Sequence, residues 1–241
     1  MNTARVGVAV ALLAALVGSA VAGAEGPTTR PTGRRVHFIP PDVAPVEGRS
    51  GGGVRCESDP ELWVAVLAPK SVAITTQPSP KLTYYISKAT NLEVRVVVQA
   101  KDETPPLLEW SSEGQVAGGL HEIDLAQFNK KLRSGAQYTW SVAIRQDETS
   151  PAKDVKSSAL LELKPPAQEM ATTEDAISRA SSLAAAGYFT DAVSTLADAI
   201  RAGRDAEAAK EELSALVQDV GIDNVRVEKV NPPDQPASDS H

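Results

Sequence analysis

The residue types most often used for metal binding and acid–base chemistry are few and far apart in this sequence. The three histidines, His37, His121 and His241, lie in an N-terminal segment rich in glycine and proline, in a strand-like stretch and at the last position. None has a cysteine or carboxylate at the spacing of a zinc-ligand motif. His121 shares its alternation parity with Ile123, which favours a partly buried structural role. We therefore expect no metal ion and no cofactor.

Paired carboxylates and one serine motif could in principle support catalysis. Glu122 and Asp124 alternate onto one face of a strand-like stretch, but the flanking pattern places that face towards solvent, whereas a glycosidase needs one acid in an apolar setting. Ser150 and Lys153 match the S-x-x-K motif, yet they lie in a predicted loop and have no S-D-N or K-T-G partner. The sequence therefore predicts no catalytic residues.

Cys56 is the only cysteine in the chain, so no disulfide can form within it. In an oxidising compartment a single cysteine can pair with another chain, react through its thiolate or lie inert in apolar surroundings. The residues around Cys56 leave these three alternatives open.

The overall charge argues against polyanionic partners. The chain has 24 basic and 31 acidic side chains, a formal net charge of −7 and a pI near 5.1, whereas phosphate backbones attract clustered lysine and arginine. We expect no nucleic-acid binding. Aromatic residues make up 4% of the chain, and the tryptophans, Trp63, Trp110 and Trp140, lie in its middle part, where we place the core.

The first 24 residues have the three-part layout of a secretory signal peptide. Arg5 precedes an uncharged apolar run over residues 6–17, and small residues follow up to Ala24. We expect cleavage between Ala24 and Glu25, export to the periplasm or cell exterior, and no stable membrane insertion afterwards. The alternative is an uncleaved anchor, because residues 6–24 just reach the length that spans a bilayer.

Composition and periodicity divide the rest of the chain into segments. Residues 25–60 are rich in Gly, Pro and Arg without periodicity, which predicts a disordered leader. Residues 61–165 alternate short apolar stretches with proline and glycine turns, which predicts an antiparallel β-sandwich. Residues 172–222 have helical periodicity. Residues 231–241 are polar and proline-containing, which predicts a disordered tail.

One local pattern refines the fold class. Leu132, Gly135, Tyr138 and Trp140 have the spacing of the tyrosine corner of immunoglobulin-like and fibronectin type III domains, in which a tyrosine hydroxyl binds upstream backbone. The alternative is an ordinary amphipathic strand after a glycine turn. We predict a mainly β chain with an immunoglobulin- or fibronectin-like antiparallel sandwich.

The segment 172–222 is predicted to form three short helices. The stretch from Ala186 to Ala192 resembles the turn of a tetratricopeptide repeat, but stacked repeats need about three units to bury their faces. We therefore expect one tetratricopeptide-like hairpin plus one helix. Because their alanine-rich stripes bury little surface, we expect these helices to dock on the sandwich or on a partner.

The order of these pieces resembles the bacterial protein family catalogued as domain of unknown function 928. The matching parts are residues 51–56, 62–69 and 78–85, the Leu-x-x-Gly-x-x-Tyr-x-Trp pattern of 132–140, Gly187-Tyr188-x-x-Asp191-Ala192 and Val220-Gly221-Ile222. The resemblance implies an exported protein with no established activity. It also implies a second cysteine soon after the Tyr-x-Trp strand, paired with Cys56, but residues 144–147 read Ile-Arg-Gln-Asp. The chain departs from the family at that position.

These features favour a non-catalytic binding or scaffolding protein whose partner is another exported or cell-envelope protein. A second hypothesis is a carbohydrate- or small-ligand-binding sandwich, in which an exposed Trp63 or Trp110 stacks on a sugar beside polar groups. A third hypothesis is a hydrolase that brings distant Ser, Asp and His residues into one cleft.

Overall fold

The computed structural model describes residues 35–41, 49–50, 54–56, 59–147, 149–166 and 175–235. The predicted signal peptide with its cleavage site at Ala24 and Glu25, the glycine run 51–53 and His241 lie outside these residues. The strands, in chain order, are β1 (Arg49–Ser50), β2 (Val54–Arg55), β3 (Trp63–Val66), β4 (Ala73–Thr75), β5 (Lys81–Ile86), β6 (Val94–Ala100), β7 (Leu108–Ser111), β8 (Gly119–Asp124), β9 (Gln137–Ile144) and β10 (Val155–Leu163).

Helices follow the strands, as the change of periodicity predicts. They are α1 (Ala176–Ala185), α2 (Phe189–Arg201) and α3 (Ala206–Asp219), and a short 3-10 helix (Pro151–Lys153) precedes β10. The prediction of a mainly β chain with three C-terminal helices is confirmed.

The strands form two sheets that pack face to face. The first has the order β1-β10-β9-β6-β7 with antiparallel neighbours, and β4 adds to β10 in parallel. The second is antiparallel, in the order β2-β3-β5-β8. Successive side chains of a strand point to opposite faces, so Val64 and Tyr84 of the second sheet meet Val96, Trp140 and Val142 of the first in one core.

The second sheet is buried on its other face as well. Its residues of opposite parity, Ala65, Leu67, Tyr85 and Leu120, join a second apolar cluster with the helices, in which Leu196 of α2 is fully buried. The described part of the chain therefore has three layers: the first sheet, the second sheet and the helices. The strands of the second sheet lie in the middle layer.

Local sequence explains how the helical layer begins and turns. The Asp175 side chain accepts a hydrogen bond from the backbone N of Ser178 at 2.7 Å, which satisfies a free donor of the first turn of α1. Hydrogen bonds from the side chain and the backbone N of Ser178 lower the pKa of Asp175. Gly187 turns the chain between α1 and α2 with a φ of +87°, a conformation that favours glycine.

Part of the segment predicted as a disordered leader is ordered, and for those residues the prediction is wrong. Strands β1 and β2 lie within residues 25–60 and pair with β10 and β3. The backbone N of Val36 donates to Glu212 Oε2 at 2.8 Å, and Phe38 packs edge-on against Phe189 with ring centroids 5.3 Å apart. Composition gave no sign of this order, because the surfaces that bind these residues come from distant parts of the chain.

Residues 231–235 are also ordered, against the prediction of a disordered tail beginning at residue 231. The chain here runs parallel to β8, with bridges between Leu120 and Val230 and between Ile123 and Asp234. The backbone N of Asn231 donates to Leu120 O at 2.9 Å, and that of Asp234 donates to Glu122 O at 2.8 Å. These bonds supply partners for the edge of the second sheet.

Candidate functional site

The strongest candidate site lies on the helix-facing side of the second sheet, where β3 and β5 carry neighbouring aromatic rings. The ring centroids of Trp63 and Tyr85 are 4.9 Å apart, and their planes meet at 43°. Tyr85 is 4% exposed, whereas Trp63 is only partly buried. The indole of Trp63 therefore rests against a buried ring and keeps part of its surface open.

A cleft of about 930 Å³ lies beside these two rings. One wall comes from the second sheet and its loops, with Glu61, Ser87 and Lys88, and the other comes from the end of α3 and the loop after it, with Gln218 and residues 221–226. The volume is in the range of small-molecule binding sites. We call this feature the Trp63 cleft.

The charges that line the Trp63 cleft are balanced in number. Glu61 and Asp223 are acidic, and Lys88 and Arg226 are basic. Lys88 Nζ lies 2.6 Å from Asp59 Oδ2 and 3.6 Å from Glu61 Oε2. The hydrogen bond to Asp59 raises the pKa of Lys88 and lowers the pKa of Asp59, so both groups stay ionised near neutral pH.

Hydrogen bonds hold both walls of the cleft in place. Ser87 Oγ accepts from the backbone N of Trp63 at 2.9 Å and donates to the carbonyl O of Glu61 at 2.6 Å. On the opposite wall, the Arg49 guanidinium donates to the carbonyl oxygens of Ala68, Val220 and Gly221 at 2.9, 3.2 and 3.1 Å. Arg49 thereby ties the end of α3 to the end of β3, and a cation at a helix C-terminus is electrostatically favourable.

The other tryptophans occupy different surroundings. Trp140 is 2% exposed in the core between the sheets. Trp110 packs against that core, and its Nε1 donates to the carbonyl O of Gln235 at 2.8 Å. Of the two tryptophans considered for sugar stacking, Trp63 is the one that lines the cleft.

His121 is buried on the core-facing side of β8, as its parity indicates. It is 4% exposed, and its Nε2 lies 2.8 Å from Ala117 O and 3.0 Å from Asn231 Nδ2. Its ring stacks on Tyr84 with centroids 5.2 Å apart. The Tyr84 hydroxyl donates to Asp234 Oδ2 at 2.5 Å; burial and the Asp234 charge raise the pKa of Tyr84 well above its usual value.

Glu122 is fully buried, so its predicted solvent-facing position is wrong. It points towards the helices, where it is 0% exposed and binds the guanidinium of Arg201. Burial raises the pKa of Glu122, although the charge of Arg201 opposes this shift. Asp124 differs from Glu122, because it is partly exposed and accepts a hydrogen bond from the backbone N of Ala126 at 3.0 Å.

A second buried carboxylate, Asp191, joins α2 to the end of β4. Its Oδ1 accepts from Thr75 Oγ1 at 2.5 Å, and its Oδ2 accepts from the backbone N and the Oγ1 of Thr76 at 2.7 and 2.6 Å. Burial raises the pKa of Asp191, while these three bonds lower it. The sequence places Asp191 in a repeat-like turn and in a family motif without indicating a contact, and the structure gives that position an anchoring role.

The remaining predicted residues lie away from the Trp63 cleft. Cys56 is 1% exposed in the core between the sheets. The Tyr138 hydroxyl accepts from the backbone N of Arg133 at 2.9 Å, while Leu132 is 4% exposed and Gly135 has a φ of +76°. His37 Nδ1 lies 2.7 Å from Asp219 Oδ2 on the surface.

The described residues contain neither a membrane-spanning helix nor a cluster of metal ligands. No helix among them is both long and apolar enough to cross a membrane. No group of three or more His, Cys, Asp and Glu side chains in this part of the chain is placed to hold a metal ion.

The protein is mainly β, with two stacked sheets and a C-terminal layer of three helices. A polar cleft with aromatic rings lies between the second sheet and the helices. The chain belongs to the family described as Domain of Unknown Function (DUF928), whose model matches residues 46–230. This match confirms the resemblance inferred from the sequence motifs, and it includes both walls of the Trp63 cleft. Comparisons with curated proteins and with solved structures returned no match.

Proposed function

We propose that this chain is an exported, non-catalytic binding protein of the periplasm or cell exterior, and that the Trp63 cleft is its binding site. The observation that carries the proposal is the partly exposed indole of Trp63, set against buried Tyr85 and surrounded by polar side chains. Binding sites commonly combine an aromatic surface with a few well-placed polar groups. Another exported or cell-envelope component is the partner that this location would offer.

The engagement of the buried carboxylates supports a role without catalysis. Glu122 is bound to Arg201, and Asp191 is bound to Thr75 and Thr76. Neither lines the Trp63 cleft. Their raised pKa values have a structural cause in burial between layers, so they do not by themselves point to acid–base chemistry.

We further propose that the sandwich is immunoglobulin-like and that α1 and α2 form a tetratricopeptide-like hairpin. The hydrogen bond between the Tyr138 hydroxyl and the backbone N of Arg133 supports the first part, since a tyrosine corner makes such a bond. The turn at Gly187 between two helices that pack against each other supports the second.

Site-specific photo-cross-linking in the native host tests the binding proposal. A photoreactive amino acid replaces Arg226 on the rim of the cleft or, as a matched control, Lys156, which is exposed on β10. We expect adducts from position 226 to exceed those from position 156 and to disappear when Trp63→Ala is added. Equal labelling at both positions, or labelling at 226 that survives Trp63→Ala, would contradict the proposal.

A further inference from the structure

We infer that the ligand of the Trp63 cleft is an uncharged saccharide, one ring of which lies against the Trp63 indole. This inference rests on the proposed function, because it requires that the cleft binds a ligand. It adds the chemical class of that ligand and the residues that select it.

The indole of Trp63 provides an aromatic surface for a sugar ring. A pyranose ring has an apolar face of C–H groups and an edge of hydroxyls, so it needs a flat apolar surface beside hydrogen-bonding groups. The indole of Trp63 is such a surface, since it is partly exposed and packs on Tyr85, 4.9 Å away between ring centroids. Aromatic rings bury a large apolar area with little loss of side-chain entropy.

The walls of the Trp63 cleft carry side chains that can form hydrogen bonds with hydroxyl groups. Gln218 and Asn224 are exposed on the helical side, and Ser87 and Glu61 line the strand side. Amides both donate and accept hydrogen bonds, and carboxylates accept them. A sugar hydroxyl both donates and accepts, so these groups can bind the hydroxyl edge of a ring whose apolar face contacts Trp63.

The charged side chains that line the Trp63 cleft are compatible with an uncharged ligand. The lining has two acidic and two basic side chains, Glu61 and Asp223 against Lys88 and Arg226, and Lys88 is already paired with Asp59 at 2.6 Å. The whole chain has a net charge of −7, which repels polyanions at long range. The four charges of the lining sum to zero, so they favour neither an anionic nor a cationic ligand over a neutral one.

Proline-rich peptides also bind aromatic surfaces, but the Trp63 cleft fits them less well than it fits saccharides. Polyproline helices bind grooves lined by aromatic side chains and need few charged groups. In the Trp63 cleft the second ring, Tyr85, is 4% exposed, and four charged and two amide side chains line the walls. This arrangement suits a ligand with many hydroxyls better than an apolar peptide.

The walls are also fixed before binding. Ser87 holds the strand side through Trp63 N and Glu61 O, and Arg49 holds the helical side through Val220 O and Gly221 O. A site that is already ordered loses little entropy when it binds, which raises affinity for a flexible oligosaccharide.

Isothermal titration of the full chain with defined probes tests the inference. The probes are neutral tetrasaccharides of β-1,4-glucose, α-1,4-glucose, β-1,4-xylose, β-1,4-mannose and N-acetylglucosamine, together with oligogalacturonate, hyaluronan fragments and a decaproline peptide. We expect at least one neutral tetrasaccharide to bind with a Kd below about 10 mM. We expect Trp63→Ala to weaken that binding by about tenfold or more.

Two control variants separate loss of the site from loss of the fold. Trp63→Phe keeps an aromatic surface and should retain part of the affinity, and Trp110→Phe, which lies outside the cleft, should change affinity by less than about twofold. Near-ultraviolet circular dichroism of Trp63→Ala that equals that of the wild type, apart from the contribution of Trp63, establishes that the variant is folded.

Several outcomes would overturn the inference: no neutral tetrasaccharide binding below about 10 mM, binding that survives Trp63→Ala, or binding confined to the anionic glycans or to decaproline. Photo-cross-linking at position 226 distinguishes this failure from that of the proposed function. If Trp63-dependent adducts form but the neutral saccharides do not bind, the cleft is a binding site for another class of ligand. If no such adducts form, the proposed function itself is wrong.

Discussion

The guanidinium of Arg201, at the end of α2, binds the carboxylate of Glu122, which is entirely buried in β8. Arg201 also lies 2.6 Å from Asp198, and Asp198 lies 2.7 Å from Lys81 of β5. This network joins the helices to the second sheet across a mostly apolar interface. Because both ions of such a pair lose hydration, a buried ion pair is a weak source of stability but a costly one to break.

The pH dependence of stability should reveal the state of Glu122. Its folded pKa is raised by burial, so the folded protein binds more protons than the unfolded chain at pH values between the unfolded and folded pKa. The contribution of Glu122 is then present below the unfolded pKa of about 4.3 and is lost as pH rises through the folded pKa.

The variant Glu122→Gln, which does not titrate at this position, provides the comparison. We expect the difference in unfolding free energy to shift in favour of the variant as pH rises from about 4 to 7, measured by urea denaturation at each pH. Asp191 also has a raised pKa, but it is present in both proteins and its effect cancels in the difference. A difference that is constant with pH, or that moves in favour of the wild type, would contradict the expectation.

Alternating patterns were sufficient to predict the strands but not how many faces of each sheet are buried. Val94, Val96 and Val98 lie in the core between the sheets as their alternation predicts. In β8 the same reasoning failed for Glu122, because a helical layer covers a face that carries polar residues. The pattern of a strand contains no information about a layer that comes from a distant part of the chain. Arg201, which binds Glu122, lies 79 positions after it.

The candidate site could be predicted only in part. The sequence indicates Trp63 as a candidate for sugar stacking, because its residue type and its place at the start of a strand are visible there. The opposite wall, around Gln218 and Asn224, comes from the end of α3, and no local signal connects it to β3. Arg49, which fixes that wall, lies in a segment whose glycine and proline content predicted disorder.

Substituting the buried acid of α2 should weaken the contact between the helices and the first sheet. In Asp191→Asn one oxygen becomes an amide donor, which cannot accept from the backbone N of Thr76 or from Thr75 Oγ1 as the carboxylate does. We expect a loss of about 1–3 kcal/mol in unfolding free energy, measured by urea denaturation at pH 7.

The control variant is Asp205→Asn, at an exposed helix start without a side-chain cap bond. It should change the unfolding free energy by less than about 0.5 kcal/mol. Equal effects of the two substitutions would show that the Asp191 contacts add no stability.

The thiol of Cys56 should be protected in the folded protein. Its side chain is 1% exposed between the sheets, so a thiol reagent should label it slowly in buffer and completely in urea. Cys56→Ser should cost about 1–3 kcal/mol, because it places a hydroxyl in an apolar cluster, and Cys56→Ala should cost less. Rapid labelling of the native protein, or a disulfide-linked dimer that Cys56→Ser abolishes, would establish a reactive role instead.

The last prediction concerns whether the helices and the second sheet unfold as one unit. Leu196 of α2 is fully buried in a cluster that also contains Ala65 of β3, Tyr85 of β5 and Leu120 of β8. Leu196→Ala removes buried methyl groups and leaves a cavity, which typically costs about 2–5 kcal/mol. Since the cluster includes strands as well as helices, we expect hydrogen exchange to show lost protection in α1 to α3 and in β3 and β5 together.

Leu160→Ala, a partly exposed position on β10 outside both clusters, should leave that protection nearly unchanged. Loss confined to residues 175–222, with β3 and β5 still protected, would instead make the helical segment a separate folding unit, with its boundary after Pro165 as the sequence alone suggests.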